Sequence, residues 1–555
     1  MVIFSIKGKI GGFIHFVMYL SSISHAIVNR RINIFVFVKC NQIRDLSEKS
    51  VQALYLKNHI EMMRILPFLL VILFFFGCSN NSSKQIESSE RPNILWIIVE
   101  DMSSHFAYQG EQLVTSPNVD RLASEGIVFR NAYVSAPVCS ASRSAMISGM
   151  YQTSVGAHHH RSSRGGLKIQ LPKGIKTIPE MFKEAGYYTC NGTEKEGQKG
   201  KEDYNFLYES KALYDGTDWA GREAGQPFFA QIQLRGGKLR NVPKWHEEVL
   251  SGLDPSLIVT ADEVTLPPYY PDVEAFRQDW ADYLNNVQYT DIEVGKILAR
   301  LQEENLLSNT VIFFITDHGI SQARGKQFLY DEGTRIPFII WAPEYFKSQL
   351  KDDLINHIDM AATSLQLAGI EIPEHMDANP LLVENYKPRD YIVCARDRCD
   401  ETVDHIRSVK KGNYKYIKNY LPERPYLQPC AYKDGKPWMS VLKELDKRGE
   451  LNEVQRLVTA KSRAEEELYD LSSDPFEIHN LAMDMNYSEK LIEMRGILKR
   501  WIVETGDQGV NPEPEEMYDS DMKVYVNTIQ KRKPDEAKII EENIATMKEW
   551  AIEGK

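Results

Sequence analysis

The sequence predicts an α/β fold, with a large, mainly parallel sheet flanked by helices and a smaller C-terminal α+β subdomain that carries a short antiparallel sheet. Residues 94–99 and 311–315 are continuous apolar runs, typical of strands buried on both faces of a parallel sheet. Between them, residues 289–306 place Val294 and Ile297 on one face of a predicted helix. Alternating strands and helices favour parallel strand pairing.

Each of the two apolar runs ends in potential metal ligands. Glu100 and Asp101 follow the first run, and Asp317 and His318 follow the second. Ligands bind beyond the carboxyl ends of strands in such sheets, and crowded carboxylates require a cation, with oxygen ligands favouring Ca²⁺ or Mg²⁺. An acid after a strand is often only a helix cap, but two such pairs favour a metal site, with Asp101 a stronger candidate than Glu100.

Size and charge restrict the function classes. The 555 residues suffice for two or more domains, and the formal net charge of −11 disfavours a nucleic-acid partner, which would require a concentrated basic face. An acidic protein can still hold a local cationic pocket for a small anion.

The segment PVCSASRSAMISGMYQTS contains a cysteine and an arginine at a predicted helix start. Cys139 and Arg143 lie one helical turn apart, so their side chains can be neighbours, and the helix N-terminus favours an anion. Taken alone, this motif is equally compatible with a core cysteine and a solvated arginine.

Together with Gly149, this motif resembles the Cys-x-Pro/Ala-x-Arg signature of the formylglycine-dependent (type I) sulfatases of the alkaline-phosphatase superfamily. Residues 116–134, the TDHG segment with the residues that follow it, and ELYDLSSDPFEIHNLA also resemble that family in the same order. The resemblance covers nearly all of residues 91–485. It implies a sulfatase-like catalytic domain over 91–385 and a C-terminal subdomain over 386–520, and residues 521–555 form a predicted helical tail.

The resemblance implies that a maturation enzyme oxidises Cys139 to formylglycine during export. One hydroxyl of the aldehyde hydrate attacks sulfur, and the other expels sulfate by collapse to the aldehyde. Cations against the equatorial oxygens stabilise the transition state. The implied ligands of Ca²⁺, or alternatively Mg²⁺, are Glu100, Asp101, Asp317, His318 and the modified Cys139.

Other positions match the family less closely. Arg143 and Lys326 correspond to family residues beside the sulfate, whereas the usual Gly-Lys-Trp-His segment is replaced by GKEDYNF. Lys201 is the best match for the sulfate-binding lysine, with Lys195 as the alternative. The usual Pro-His is also absent, and QLRGGKLR offers Lys238 or Arg240 for substrate binding.

The missing histidines leave the acid that protonates the leaving group open. The candidates come from the run GAHHHRSS, and we expect His158 or His159 rather than His160 to reach the pocket. A solvated loop is the alternative for this run.

The charged segment after residue 393 is the expected substrate-reading region. Arg396, Arg398 and Asp400 are predicted to contact sugar hydroxyls and sulfates, although a salt-bridged loop would show the same pattern. By fold analogy, the predicted substrate is a sulfated polysaccharide fragment of the ulvan or carrageenan type, or a glycosaminoglycan.

The N-terminus predicts export. Residues 62–77 resemble a lipoprotein signal peptide, Cys78 would receive lipid, and residues 78–90 have a linker's composition. Residues 1–61 are expected to be absent from the mature protein; a hydrophobic anchor within 11–39 is the alternative. The predicted location is the periplasm or the outer-membrane surface of a Gram-negative bacterium, with a lipid anchor in the membrane.

Two other functions compete with a sulfatase. One is a phosphate or phosphonate monoester hydrolase of the same superfamily, and the other is a catalytically dead, glycan-binding surface lipoprotein. The body holds five cysteines, so at least one is unpaired within the chain, and pairing of Cys394 with Cys399 is not decided by sequence.

Overall fold

The computed structural model describes residues 2–7, 13–18 and 91–555. The first two segments form an antiparallel pair, β1 (Val2–Lys7) and β2 (Phe13–Met18), within the compact unit Met1–Gln85. Residues 91–555 belong to a second compact unit.

Several N-terminal predictions lie outside the described residues. These are the signal peptide at 62–77, the lipidation of Cys78 and the linker at 78–90.

A seven-stranded sheet forms the centre of the second unit, in the order β5-β6-β3-β7-β8-β4-β9. Strand β8 runs antiparallel to both of its neighbours, and all other pairs are parallel. The predicted mainly parallel sheet is therefore confirmed. Its strands are β3 (Asn93–Val99), β4 (Ile127–Tyr133), β5 (Tyr188–Gly192), β6 (Phe228–Leu234), β7 (Thr310–Thr316), β8 (Phe338–Trp341) and β9 (Gln349–Asn356).

Helices cover both faces of this sheet, as parallel strands require. The helices of this part of the chain are α1 (Pro117–Glu125), α2 (Cys139–Ser148), α3 (Ile178–Glu184), α4 (Ser210–Leu213), α5 (Pro243–Gly252), α6 (Glu274–Glu303), α7 (Asp331–Thr334) and α8 (Asp359–Leu367).

The central strands are apolar along their whole length because their alternate side chains enter two separate cores. Leu95 and Ile97 of β3 pack into the cluster that includes α1 and α6. Trp96 and Ile98 point to the opposite face, into the cluster that includes α2, α3 and α8. Burial on both faces explains why the sequence shows no polar alternation here.

The C-terminal part carries the predicted antiparallel sheet, with its strands in sequence order. Its four strands lie inside the range 386–520. The elements of this part are β10 (Ile392–Arg396), β11 (Ile406–Lys411), β12 (Tyr414–Asn419), α9 (Ala431–Asp434), α10 (Pro437–Lys447), β13 (Glu466–Asp470), α11 (Ser488–Thr505), α12 (Glu515–Gln530) and α13 (Pro534–Glu553).

Among the helices of the described residues, none is both long enough and apolar enough to cross a membrane.

Candidate active site

Two adjacent parallel strands bring the predicted acid pairs together. Val99 of β3 lies beside Thr316 of β7, so Glu100–Asp101 and Asp317–His318 leave the sheet side by side. The backbone N–H of Asp101 donates to Asp317 Oδ1 at 3.1 Å, which joins the two strand ends. Asp101 has a φ of 53°, a left-handed conformation that is rare for a residue with a side chain and is often found at functional sites.

The next strands of the sheet supply two lysines at the same edge. Lys201 lies in the loop after β5, and its Nζ lies 2.7 Å from Glu100 Oε2. Lys238 follows β6 and also forms an ion pair with Glu100. Gly237 lets the loop after β6 pass close to the backbone of Asp101, because a Cβ at this position would lie 2.1 Å from the carbonyl oxygen of Asp101.

Cys139 occupies the first position of α2, with its thiol buried among these groups. Its Sγ lies 3.1 Å from His318 Nε2 and 3.1 Å from Lys326 Nζ. Lys238 Nζ lies 3.8 Å from the same sulfur, and Asp101 Oδ1 lies 3.9 Å from it. The sulfur marks where the oxygens of a formylglycine hydrate would lie, so the predicted nucleophile and metal ligands share one site.

Arg143 lies one turn along α2, and its guanidinium is held by two partners. Its Nε donates to Asp317 Oδ2 at 3.1 Å, and its Nη1 donates to Gln233 Oε1 at 2.6 Å. Both the arginine and the aspartate are buried. A buried charge requires this pairing, and the two bonds fix the guanidinium beside the start of the helix.

His318 directs one ring nitrogen, Nε2, into the site. Its Nδ1 lies 2.9 Å from the carbonyl oxygen of Gly319, which can only accept, so Nδ1 carries the proton. Nε2 faces Cys139 and lies 3.3 Å from Asp101 Oδ1. Burial alone would lower the pKa of the ring, but Asp317 and Cys139 raise it, so Nε2 becomes a metal ligand by giving up its proton. This orientation by a backbone carbonyl is typical of metal-binding histidines.

The donor set suits a divalent cation. Asp101, Cys139 and His318 offer ligand atoms within 4.8 Å of one another, and so do Glu100, Cys139 and Asp317. Carboxylate oxygens dominate the set, which fits a hard cation such as Ca²⁺ or Mg²⁺.

The lysines control the protonation of the site. Burial alone would raise the pKa of Glu100, but Lys201 and Lys238 lower it to about 2. Burial would likewise raise the pKa of the Cys139 thiol, but the same two lysines and Lys326 lower it to about 6. An unmodified Cys139 is therefore largely a thiolate at neutral pH.

The structure does not bring His158 or His159 to this cluster. Among residues 91–555, no hydrogen bond joins either side chain to Cys139 or to the metal-ligand candidates, and His159 Nδ1 instead accepts the N–H of Arg398 at 3.3 Å. His160 comes closest, because its Nδ1 lies 2.8 Å from the hydroxyl of Ser140. The histidine run packs against the C-terminal subdomain, which spacing along the chain does not reveal.

The predicted sugar-contacting residues serve mainly in buried ion pairs. Arg396 pairs with Asp404, and the fully buried Arg398 pairs with Glu513 and Asp521. The salt-bridged alternative therefore describes both arginines.

Asp400 is also held in place rather than presented to the cluster. It accepts a hydrogen bond from Arg164 Nη1 at 3.1 Å and lies 3.8 Å from His160 Nε2. The two alternative basic residues are likewise engaged elsewhere, because Lys195 pairs with Glu248 and Arg240 pairs with Asp279.

Two residues at the site were not anticipated from sequence. Tyr432 reaches in from the C-terminal subdomain, and its hydroxyl lies 3.3 Å from Asp101 Oδ2. Gln233, on β6, holds Arg143. Neither carries a local signal, since a glutamine in a strand and a tyrosine before a lysine are common in any protein.

Comparisons with known proteins agree on one family. The family described as Sulfatase matches residues 92–370, and the family described as N-sulphoglucosamine sulphohydrolase, C-terminal, matches residues 318–427. An ulvan-active sulfatase of Formosa agariphila is 33% identical in an alignment of 471 positions that covers 78% of this chain and 78% of that protein. Human N-sulphoglucosamine sulphohydrolase is 23% identical over 474 residues, covering 75% of this chain and 91% of its own length.

Solved structures share the fold. The structure of a 2-O GAG sulfatase has a TM-score of 0.54 at 21% identity, covering 77% of this chain and 96% of its own. A second neighbour, solved in complex with D-glucosamine-2-N,6-O-disulfate, has a TM-score of 0.51 at 19% identity and covers 75% of this chain and 99% of its own.

Proposed function

The chain belongs to the sulfatase family and is a sulfuric ester hydrolase, and from this premise we propose that it desulfates fragments of sulfated polysaccharides outside the cytoplasm. The ulvan-active and N-sulphoglucosamine relatives support a sulfated sugar as the substrate. The lipoprotein signal predicted over residues 62–77 supports export and anchoring through Cys78 to the periplasmic or surface side of a membrane.

The observation that carries this proposal is the convergence of cations on Cys139. Lys326 and Lys238 contact its sulfur, and Lys201 lies 2.7 Å from the adjacent Glu100. Counting Arg143, four cationic side chains stand against the three carboxylates, so positive charge is directed at the Cys139 position. A sulfate ester is a monoanion, and this charge favours its binding and the charge that develops at its equatorial oxygens.

Glu100, Asp101, Asp317 and His318 would hold the divalent cation. A bound Ca²⁺ or Mg²⁺ would act as a Lewis acid toward the nucleophilic and sulfate oxygens.

Conversion of Cys139 to formylglycine would supply the nucleophile, since the aldehyde hydrate offers a hydroxyl where the sulfur lies. The first position of α2 orients this group beside the helix N-terminus, whose backbone dipole favours an anion. Modification also fits the charge of the site, since a buried group ringed by lysines is stabilised when it carries a negative oxygen.

The remaining side chains position the sulfate group and protonate the leaving oxygen. Arg143, fixed by Asp317 and Gln233, and Lys326, held 3.1 Å from Asp101 Oδ1, place positive charge against the sulfate. The Lys238 side chain is 21% exposed, against 6% for Lys326, so it is the more accessible of the two lysines beside Cys139. We assign to Lys238 the proton that the leaving oxygen takes up.

The test compares sulfate and phosphate esters. Enzyme produced together with a formylglycine-generating enzyme should release sulfate from sulfated oligosaccharides of ulvan or glycosaminoglycan type, and it should act more slowly on phosphate esters. Cys139→Ala should lower sulfate release by roughly a thousandfold or more, because the nucleophile is lost. Mass spectrometry of the peptide spanning residue 139 should show an aldehyde in the active enzyme.

Cys190→Ala is the matched control, because it removes an equally buried free thiol from strand β5 and should retain activity. Full turnover by Cys139→Ala would refute the nucleophile. A preference for phosphate esters would favour the phosphate monoester hydrolase, and folded, aldehyde-bearing enzyme without turnover of any ester would favour a glycan-binding protein.

A further inference from the structure

A cavity of about 480 Å³ opens beside the nucleophile position. Its walls include Ser140, Arg161, Arg164, Lys168, Asp203 and Tyr208. Ser140 directly follows Cys139 in α2, and its hydroxyl accepts the backbone N–H of Arg161 at 2.9 Å, so the cavity wall is joined to the helix that carries Cys139. This volume falls within the range of small-ligand sites and suits a sugar ring adjoining the one that reacts.

A chain of ion pairs connects the cavity to the metal-ligand cluster. Lys201 Nζ lies 2.7 Å from Glu100 Oε2 and 3.2 Å from Asp203 Oδ2. Asp203 in turn accepts a hydrogen bond from Arg161 Nε at 3.2 Å. Ion pairs from Glu100 through Lys201 and Asp203 to Arg161 therefore fix the position of the cavity wall relative to the metal-ligand cluster.

The cavity is cationic, and one guanidinium is available to a ligand. Lys201 and Arg161 together neutralise Asp203, the acidic residue in the wall. Arg161 uses Nε and Nη2 for this pair, and within residues 91–555 its Nη1 has no partner, while 41% of the side chain is exposed. Arg164 is not free in this way, because Asp521 and Asp400 hold its guanidinium.

The backbone on both sides of this pair is strained. Arg161 and Asp203 each have a φ of 56°, in the left-handed region that side-chain-bearing residues rarely adopt. Such conformations persist where the surrounding structure requires a particular side-chain position, and they cluster at ligand sites. The strain indicates that the direction of the Arg161 guanidinium matters.

Aromatic side chains are also among the residues that line the cavity. The rings of Tyr204 and Phe206 stack with centroids 5.9 Å apart, and Tyr208 meets Tyr204 edge-on at 5.1 Å. Both Tyr204 and Phe206 line the cavity as well. Aromatic rings beside a guanidinium suit a flat, amphipathic ligand that bears one negative group.

Resting on the proposed function, we propose that this cavity binds the sugar next to the sulfated one, and that Arg161 recognises an acidic group on that neighbour. The acidic group is a carboxylate or a second sulfate, since the guanidinium pairs with either. The cavity would thus select acidic oligosaccharides over neutral ones with the same scissile ester.

The test removes the charge from each partner in turn. Holoenzyme and the Arg161→Gln variant are assayed on an acidic fragment, its carboxyl-reduced form and a form lacking the second sulfate. Arg161→Gln should lower kcat/KM on the acidic fragment about 10- to 100-fold, mainly through KM, as expected for a lost charged hydrogen bond. Removing the recognised acidic group from the substrate should lower the kcat/KM of the wild type by a similar factor. It should change the kcat/KM of Arg161→Gln little, because both changes break the same contact.

Two further variants guard the interpretation. Arg130→Gln removes another exposed, aspartate-paired arginine, at the β4–β9 edge of the sheet, and should leave the acidic preference unchanged. Arg161→Lys keeps the positive charge but cannot form two parallel hydrogen bonds with an acidic group. Its kcat/KM on the acidic fragment should therefore lie between those of the wild type and Arg161→Gln. Folding of Arg161→Gln is expected, because Asp203 retains Lys201.

Binding separates this inference from the proposed function. Calorimetry measures the affinity of Cys139→Ala for the intact acidic fragment, with and without Arg161→Gln, so the result does not depend on turnover. Weaker binding in the double variant, restricted to one of the two acidic groups, supports the inference and identifies the group. Equal losses of affinity for charged and neutral fragments, or no loss of affinity, would overturn the inference about Arg161 even if the enzyme releases sulfate normally.

Discussion

Asp101 shows how a single residue organises the site. Its backbone is in the left-handed region, and its carboxylate receives Lys326 at 3.1 Å and the hydroxyl of Tyr432 at 3.3 Å. Burial would raise its pKa, yet Lys326 and Lys238 hold that pKa well below the usual range. The carboxylate is therefore ionised and available as a ligand over the whole physiological pH range.

This clustering predicts a cation-dependent stability. Chelation should lower the thermal unfolding midpoint of the wild type, and Ca²⁺ or Mg²⁺ should restore it, because the cation binds the folded site and not the unfolded chain. At about one hundred times its dissociation constant, the ion should add about 2.7 kcal/mol to the free energy of unfolding. Calorimetry with and without chelator measures this shift.

Asp317→Asn should abolish most of that stabilisation, since it removes a central carboxylate. The exposed Asp352→Asn variant, which only loses a pair with Arg130, should keep it. An undiminished cation effect in Asp317→Asn would contradict the assignment of this ligand.

At the scale of elements, α2 is a helix with no exposed face, and its small residues explain how it fits. All residues from Cys139 to Ser148 are buried, so α2 packs tightly between the sheet edge and its neighbours. Ser144 donates to the carbonyl oxygen of Ser140 at 2.6 Å, and Ser142 donates to that of Asp317 at 2.5 Å. Serines that bond to nearby carbonyls allow close packing without unsatisfied hydroxyls.

Helix α6 carries a buried carboxyl that makes stability depend on pH. Glu293 is 1% exposed, and within residues 91–555 its Oε2 has no hydrogen-bond partner. Burial, reinforced by Glu194 and partly offset by Arg235, raises the pKa of Glu293 to about 8 from 4.5. The folded protein then binds more protons than the unfolded chain between these values, so the free energy of unfolding falls as pH rises through that window.

Glu293→Gln should remove this dependence. The variant should match the wild type near pH 4.5 and exceed it by on the order of 4 kcal/mol near pH 8, as judged by denaturant unfolding across that range. Glu303→Gln, at the exposed end of the same helix, is the control and should follow the wild type. A variant that loses stability at pH 8 would show that the carboxylate form is favoured in the fold.

At the scale of the whole molecule, the C-terminal helices form part of the body around the site. Asp521 of α12 is fully buried and receives Arg164 Nε at 2.9 Å and Arg398 Nη1 at 3.0 Å. Arg164 lies four residues after His160, and the backbone carbonyl of Arg398 accepts the N–H of His160 at 2.8 Å. The predicted helical tail therefore secures the segments that frame the cavity.

Asp521→Asn should destabilise the protein by about 1.5–3 kcal/mol, because it weakens charged hydrogen bonds to two arginines, of which Arg398 keeps Glu513 and Arg164 keeps Asp400. Asp519→Asn, two residues away on the same helix, breaks only an exposed pair with Lys548 and should change stability by less than about 1 kcal/mol. Equal effects of the two variants in denaturant unfolding would contradict the role assigned to Asp521.

The sequence by itself determined the fold class and the core of the site. Apolar runs at β3 and β7 report strands buried on both faces, and a residue that follows such a strand must lie at the carboxyl edge of the sheet. The positions of Glu100, Asp101 and Asp317 after strands, and of Cys139 at a helix start, follow from local pattern, whereas their assignment to one site rests on the family resemblance. These features depend on neighbours along the chain, which a sequence displays directly.

Only the tertiary structure decided which loops reach that edge. Contacts such as Tyr432 with Asp101 join residues hundreds of positions apart, and no spacing rule predicts them. Spacing along the chain also does not show that His158 and His159 pack away from the cluster. Nor does it show that Arg398 forms a buried ion pair with Asp521. A charged or aromatic side chain looks alike in sequence whether it faces a ligand or a buried partner, because burial and pairing are properties of the folded chain.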